Sequence, residues 1–202
     1  MSLSNTEYGQ VLQWTGKLPL YGGASFRTPI GMTASYECSV SQCQPATGVM
    51  DLTAIFLTQG QTIAGINYVS GTTAASGPTH LWFALYDDGR GSTTAGQLAL
   101  LGQTSDNGSV AVPANTWLAL GLVSPWVTQY TGIYYVAFLQ TVSTTMSTLA
   151  GVIRGTTASI QLSSNCANSF HSMTAGSGLT NLAPSPSGAL TISTRSEFVY
   201  VV

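Results

Sequence analysis

The residues best suited to chemistry lie in one stretch, residues 79–91, which reads THLWFALYDDGRG. It holds one of the two histidines, two of the four aspartates and one of the four arginines in the chain. His80 could act as a general base if a carboxylate oriented it and a nucleophile lay within reach. Asp87 and Asp88 could bind a cation or work as an acid–base pair. This stretch therefore decides whether the sequence predicts an enzyme.

Periodicity and turn chemistry favour a structural interpretation of the stretch. From Leu81 to Tyr86 the apolar side chains alternate between two faces, as in a strand. Asp87 and Asp88 precede Gly-Arg-Gly, and Asp and Gly accept the backbone conformations of turns. Calcium binding is the alternative, although calcium requires about six or more oxygens and only two carboxylates are at hand. Adjacent aspartates on one turn cannot flank a sugar ring as glycosidase carboxylates do.

Other catalytic patterns are missing from the sequence. There is no G-x-S-x-G nucleophile motif, and no Gly-rich loop carries the lysine of a phosphate-binding site. His171 and Asp106 have no neighbouring residues that suggest a site. His80, where a loop enters a strand, is interpreted as a capping or packing residue. We therefore expect no enzymatic activity, no cofactor and no metal.

The three cysteines allow three interpretations. They are Cys38, Cys43 and Cys166, with four residues between the first two. Free thiols buried as small apolar groups are one possibility, and a disulfide between Cys38 and Cys43 is another. A zinc site would need a fourth ligand, and His171 is the only histidine near Cys166 in the sequence.

The composition is unusually poor in charge. Hydrophobic residues make up 44% of the 202 residues and charged residues only 6%, against roughly 25% in an average soluble domain. Few charged side chains means little repulsion between neighbouring molecules, so we expect a homo-oligomer or a subunit of a larger assembly. Five cations and a net charge of −2 cannot form a basic patch, which argues against nucleic-acid binding.

The sequence predicts no membrane insertion and no secretory signal. No apolar run reaches the roughly 18 residues that span a bilayer. The first ten residues, MSLSNTEYGQ, contain no basic segment followed by an apolar one. We therefore expect synthesis in a cytoplasm, with release by lysis or within a particle.

Short apolar segments separated by turn residues predict an all-β protein. The segments are rich in Val, Ile, Thr, Tyr, Phe and Trp, and clusters of Gly, Pro, Ser and Asn divide them. Residues 132–139 are apolar on both faces, as in a central strand covered on both sides. In residues 117–122 the leucines share one face and Trp117 lies on the other. The predicted strands cover residues 34–40, 52–57, 61–69, 81–86, 97–103, 116–122, 132–140, 158–162 and 189–201.

We predict an antiparallel, jelly-roll-like β-sandwich over residues 51–202 with an irregular N-terminal arm over residues 1–50. The arm contains aromatic residues without the alternation of a sheet. Since these rings must pack somewhere, we expect Trp14, Tyr21 and Phe26 to contribute to attachment to a neighbouring subunit.

Two aromatic residues in a predicted loop suggest a contact surface. Trp126 and Tyr130 lie in the segment SPWVTQY, and loop aromatics can stack on the sugar rings of a cell-surface glycan. Packing in the core or in a subunit interface is the alternative.

A family resemblance extends over about half of the chain, within residues 52–150. The motifs SGTTAA, THLWFALYD and TGIYYV occur there in this order. Their combination resembles a β-sandwich module in structural proteins of tailed bacteriophages, especially those that infect actinobacteria. Such modules are minor tail, fibre or head-surface proteins, so the resemblance implies a virion component and no catalytic residues.

The resemblance and the composition together predict a non-enzymatic protein of the virion surface. Its expected partners are other virion proteins, further copies of itself and a host-surface glycan. A minor tail or fibre component that adheres to the host is the first interpretation, and a capsid decoration protein is the alternative. A soluble carbohydrate-binding module is the second alternative, although a free module would normally carry more charge.

Overall fold

The computed structural model describes residues 18–19, 25–26, 39–87, 98–153, 172–182, 190–193 and 195–202. Within these ranges the secondary structure is entirely strand and turn, with no helix. None of the described residues therefore forms a helix that could cross a membrane. The strands are β1 Leu18–Pro19, β2 Ser25–Phe26, β3 Ser39–Cys43, β4 Met50–Leu57, β5 Thr62–Val69, β6 Ser76–Asp87, β7 Leu100–Gln103, β8 Trp117–Val127, β9 Gly132–Thr145, β10 Leu149–Ile153, β11 Ser172–Ala175, β12 Thr191–Ile192, β13 Arg195–Glu197 and β14 Val199–Val201.

One layer of the fold is a six-stranded antiparallel sheet with the order β12-β11-β4-β9-β6-β7. The long strand β9 lies at its centre, where Ala137 pairs with Leu52 of β4 on one side and with Ala84 of β6 on the other. Residues on both faces of β9 are fully buried, including Phe138 on one face and Tyr135 on the other. The prediction of a central strand covered on both sides is confirmed.

The second layer consists of two three-stranded antiparallel sheets, β14-β5-β8 and β13-β10-β3. A single bridge between Ser70 and Leu149 joins them. Another bridge, between Thr104 and Leu122, links the end of the six-stranded sheet to β8. Antiparallel sheets packed face to face confirm the predicted β-sandwich.

The main core fills the space between the two layers. Its centre is a group of aromatic rings, with Tyr68 of β5 at 4.8 Å from Phe83 and 5.4 Å from Phe138, measured between ring centroids. All three residues are fully buried. Leu118 and Leu122 of β8 point into this core whereas Trp117 is 53% exposed, which confirms the predicted alternation along this strand.

A second apolar cluster lies on the opposite face of the six-stranded sheet. Met50, Leu52, Tyr135 and Leu139 are fully buried there. The described residues that pack over this face include Leu98, Leu179, Leu182 and Leu190.

Three strands, β6, β8 and β9, extend well beyond their predicted bounds, and the first two contain a proline. The prediction that residues 124–127 belong to a loop is wrong, because β8 continues to Val127 through Pro125. Strand β6 begins at Ser76 and passes through Pro78, with register shifts on either side of it. Proline lacks an N–H and is tolerated where a strand has a free edge or a bulge, so local composition alone marks such segments as loops.

The C-terminal segment also differs from the prediction. Instead of one strand over residues 189–201, three short strands pair with different partners, namely β12 with β11, β13 with β10 and β14 with β5. The strands β10 and β11 were not predicted. The predicted strand 158–162 lies outside the described residues, as does most of the predicted strand 34–40.

The N-terminal fifty residues are described in part. Strand β3 lies within this segment and pairs with β10, so residues 39–43 belong to the second layer. Strands β1 and β2 form a separate two-stranded sheet, and β2 lies beside β14. The division into an arm over residues 1–50 and a sandwich over residues 51–202 stays a prediction.

Candidate functional site

His80 has the orienting carboxylate that a general base requires. Its Nδ1 lies 2.7 Å from Oδ2 of Asp106, and its ring stacks on Trp82 at 5.1 Å with an interplanar angle of 8°. Both members of the pair are partly exposed. Among the described residues no hydroxyl or thiol is hydrogen-bonded to His80, so the geometry supplies no nucleophile for it to activate.

Asp106 also holds a turn against β6. Its Oδ1 accepts hydrogen bonds from the N–H groups of Leu81 and Gly108. Burial acts to raise the pKa of Asp106, but hydrogen bonds from His80 and the two N–H groups outweigh it, so the pKa falls below its ordinary value. The pair thus fastens the turn to the strand, which is a packing role for His80.

Asp87 ends β6 as a buried structural residue. It is 2% exposed, and its Oδ1 accepts a hydrogen bond from the N–H of Ala99. Its own N–H donates to the carbonyl of Ala99. Asp88 and the rest of the predicted turn lie outside the described residues. No group of three potential metal ligands occurs within the described part of the chain.

Trp126 and Tyr130, the predicted glycan contacts, pack against the main core. The Trp126 ring meets Tyr134 edge to face at 5.7 Å, and the Tyr130 ring stacks on Tyr134 at 4.6 Å. The Tyr134 hydroxyl donates a 2.9 Å hydrogen bond to the carbonyl of Tyr130. Both residues are only partly exposed, so most of their ring surface serves packing.

The predicted attachment residues fall largely outside the described part of the chain. Trp14 and Tyr21 lie outside it, and Phe26 belongs to β2, of which the backbone is described. Cys43 is fully buried in the main core, while Cys38, Cys166 and His171 are outside the described ranges. The role of the arm and the state of Cys38 stay predictions.

A buried ionic cluster between the layers was missed by the sequence analysis. Arg195 of β13 contacts Asp51 of β4 at 2.7 Å and also donates to the carbonyl of Gln44. Next to this pair, Thr53 donates a 2.7 Å hydrogen bond to Glu197. Two residues of β4 thus face two residues of β13 across the sandwich.

The cluster holds two carboxylates against one guanidinium. Asp51 and Glu197 are each 1% exposed, and each has one carboxylate oxygen without a hydrogen-bond partner among the described residues. Burial and the nearby Glu197 raise the pKa of Asp51 from 3.8 to about 7, against the opposing effect of Arg195. Near neutral pH the cluster therefore holds a proton that it can lose.

The outer side of β8, the edge strand of the sheet β14-β5-β8, carries most of the exposed large apolar side chains among the described residues. Trp117, Val123 and Val127 belong to β8, Val202 follows β14, and Val110 lies in the segment before β8. The three strands carry no Asp, Glu, Lys or Arg. Exposed apolar patches without charge are typical of contact surfaces.

Aromatic rings gather at one end of this face. Trp117 makes edge-to-face contacts with Tyr200 at 5.3 Å and with Phe198 at 6.1 Å. We call these three residues the aromatic platform. The alternation in residues 117–122 predicted that Trp117 faces away from the leucines. It did not predict the neighbours Phe198 and Tyr200, which lie beside Trp117 because β14 pairs with β5.

No protein-family model matches the chain, and no curated protein matches it significantly.

Proposed function

We propose that the protein is a non-enzymatic structural component of a bacteriophage virion surface, acting as a minor tail or fibre protein that adheres to the host. Its partners are other virion proteins and further copies of itself. The β-sandwich fold and the resemblance of residues 52–150 to phage structural modules support this assignment. The hydrogen bonding of His80 and Asp87 supports structural roles for the two residues that had suggested chemistry.

The observation that carries the proposal is the uncharged outer face of the sheet β14-β5-β8. Val123 is 66% exposed on it, and Val127 and Val202 are 44% and 47% exposed. Soluble monomers normally place charge on such strands, since charge opposes edge-to-edge association. A sheet without charged side chains suits a protein whose neighbours are fixed by assembly.

Quantitative mass spectrometry of gradient-purified virions tests the proposal. We expect the chain in the particle fraction, in a fixed ratio to the major capsid protein. A handful of copies per particle supports the tail or fibre assignment, and tens to hundreds of copies support the alternative of a head decoration protein. Complete absence of the chain from purified particles would refute the virion proposal.

A further inference from the structure

We propose that Asp51, Glu197 and Arg195 form a pH-sensitive latch that holds the C-terminal end of the chain on the sandwich. The part that is held is residues 195–202, which contain β13 and β14 and which we call the C-terminal strap. The latch is closed in acid, and it opens more readily as the pH rises and both carboxyl groups become ionised. This inference goes beyond the proposed virion function and does not depend on it.

The C-terminal strap lies at the outer edge of both sheets of the second layer. Among the described strands, β13 pairs with β10 alone and β14 pairs with β5 alone. Between and after these strands, the N–H of Phe198 donates to the carbonyl of Ala150, and the N–H of Val202 donates to that of Gly65. Because β10 keeps its pairing with β3 and β5 keeps its pairing with β8, the strap can detach without breaking any other strand pairing.

Two kinds of side-chain contact hold the strap against the six-stranded sheet. Val199 and Val201 of β14 are fully buried in the main core. Strand β13 instead holds the strap through polar contacts with β4, where Arg195 meets Asp51 and Glu197 accepts a hydrogen bond from a threonine. The apolar contacts do not change with pH, whereas the polar contacts depend on which groups are charged.

The closed latch places two acidic groups beside one basic group, away from water. Asp51 and Glu197 are each 1% exposed. Arg195 contacts Asp51 and is the only lysine or arginine among the described residues. When both carboxyl groups are ionised, two negative charges and one positive charge leave a buried net charge of −1, which is unfavourable. A proton removes that charge in the closed form, and water solvates it when the strap detaches.

The closed latch also leaves polar atoms without hydrogen-bond partners among the described residues. These buried atoms are Oδ2 of Asp51, Oε1 of Glu197, Nε of Arg195 and Nε2 of Gln140. Gln140 lies two residues from Phe138, the partner of Asp51 on β9, so it faces the same side of the sheet. Burial of a polar atom without a partner is unfavourable, and contact with water in the open form relieves this cost.

The other groups around Asp51 do not balance the second carboxylate. Its partners on β9 and β11 are Phe138 and Thr174, which do not titrate, and β10 contains no titratable residue. On β5, burial and the two nearby carboxyl groups raise the pKa of Tyr68 above its ordinary value, so this hydroxyl stays neutral. Cys43 of β3 is buried in the main core, and a thiol carries no positive charge.

The pKa of Asp51 gives the direction and the range of the response. In the closed form, burial and the nearby Glu197 raise this pKa from 3.8 to about 7, against the opposing effect of Arg195. In the open form the carboxyl group is solvated, and its pKa returns towards the ordinary value. Protonation therefore favours the closed form, and this preference is complete below pH 3.8 and is lost as the pH rises to about 7.

The closed latch covers two strand edges. When the strap detaches, β5 and β10 each present an edge of unpaired N–H and carbonyl groups. Such edges readily pair with a strand of another chain. The protonated latch thus protects the second layer against pairing with other chains.

Amide hydrogen exchange of the full-length chain, followed by NMR between pH 5 and pH 8, tests the proposal. The reporters are the amides of Phe198 and Val202 in the strap, and Ala137 at the centre of the six-stranded sheet is the reference. Protection factors remove the intrinsic pH dependence of exchange. We expect the strap to be less protected than the reference at every pH, and its protection factors to fall at least about tenfold between pH 5 and pH 7.

Three variants show whether the latch causes this response. Asp51→Asn should remove the pH dependence of the strap, because an amide does not ionise. Glu197→Gln should reduce it, since the charge that helps to raise the pKa of Asp51 is gone. Asp106→Asn is the matched control, because Asp106 contacts β6 and should leave the response of the strap unchanged.

Three results would overturn the proposal. Equal protection of the strap and of Ala137 at every pH would show that the strap opens only when the whole protein unfolds. Protection factors of the strap that stay constant between pH 5 and pH 7 would show that no latch responds to pH. An Asp51→Asn protein with the original pH dependence would place the titrating group elsewhere. Because exchange is measured on the isolated chain, the outcome is independent of whether the chain is found in virions.

Discussion

Arg195 of β13 donates a hydrogen bond to Asp51 of β4 over 2.7 Å, and this contact joins the two layers of the sandwich. Asp51 has almost no contact with solvent, and Glu197 lies close enough to raise its pKa. The C-terminal strands are therefore attached to the central sheet through groups whose charge depends on pH.

The stability of the protein should fall as the pH rises from about 4 to about 7. The pKa of Asp51 is raised from 3.8 to about 7 in the fold. The protonated form is thus favoured by folding, so its contribution is complete below pH 3.8 and is lost as the pH rises through about 7. The loss amounts to a few kcal/mol at most, since one pKa unit corresponds to about 1.4 kcal/mol. Urea unfolding between pH 5.5 and pH 8.5 measures the part of this loss that occurs between pH 5.5 and about 7.

Asp51→Asn should flatten this pH dependence, because the amide cannot ionise. Asp106→Asn is the matched control. The pKa of Asp106 is lowered in the fold, so its contribution is present above pH 3.8 and disappears only in acid. An Asp51→Asn protein that loses as much stability as the original between pH 5.5 and 8.5 would contradict the assignment.

Replacing Arg195 should lower the free energy of unfolding more at high pH than at low pH. Arg195→Met leaves Asp51 and Glu197 buried without a positive partner, and breaking a buried ion pair in this way costs about 3–5 kcal/mol. Protonation of Asp51, whose pKa is raised to about 7, relieves part of this cost. We therefore expect a larger drop in the free energy of unfolding at pH 8 than at pH 5. Equal drops at the two pH values would show that the charges contribute little.

The turn that carries Asp106 depends on a glycine. A Cβ at Gly108 would lie 2.1 Å from the carbonyl oxygen of Thr79 and 2.7 Å from Cα of His80. Gly108→Ala should push the turn away from β6 and separate His80 from Asp106, at a cost of about 1–3 kcal/mol. Chemical denaturation and the ring resonances of His80 would show both effects.

Gly121→Ala is the matched control, since the nearest atom to its new methyl group is 3.9 Å away. We expect its stability to stay close to that of the original protein. A Gly108→Ala protein with the same stability and the same His80 resonances would mean that the turn accommodates the methyl group.

The central strands could be predicted from the sequence because their burial leaves a local pattern. Residues 132–139 are apolar at every position, and that pattern requires cover on both faces. The prediction of a single strand over residues 189–201 is wrong. The strands β12, β13 and β14 follow one another closely there but pair with three different strands. Pairing partners are chosen by contacts distant in sequence, which a local pattern does not contain.

The candidate site could be predicted only in part. The exposure of Trp117 follows from alternation with the leucines of β8. Tyr200 joins it because β14 pairs with β5 and β5 pairs with β8, and 83 residues separate Tyr200 from Trp117 in the sequence (200 − 117). Likewise, Asp51 and Arg195 are 144 residues apart, and nothing near either residue marks it as half of a buried pair.

The arm should be needed for assembly and not for folding. We expect a protein lacking residues 1–30 to keep its cooperative thermal melt and to lose incorporation into particles. The described sandwich strands of residues 39–202 carry the main core, which is the reason for the first expectation. Full occupancy of particles by the truncated protein would place the attachment surface on the sandwich instead.

Immunogold electron microscopy of gradient-purified particles tests the central claim most directly. An antibody against this chain is applied to intact particles, and the position of the gold is recorded on the head, the tail shaft and the tail tip. The proposed function predicts gold on the particle exterior, concentrated on the tail or its fibres. Particles that carry no gold while the chain remains at the top of the gradient as free protein would contradict it.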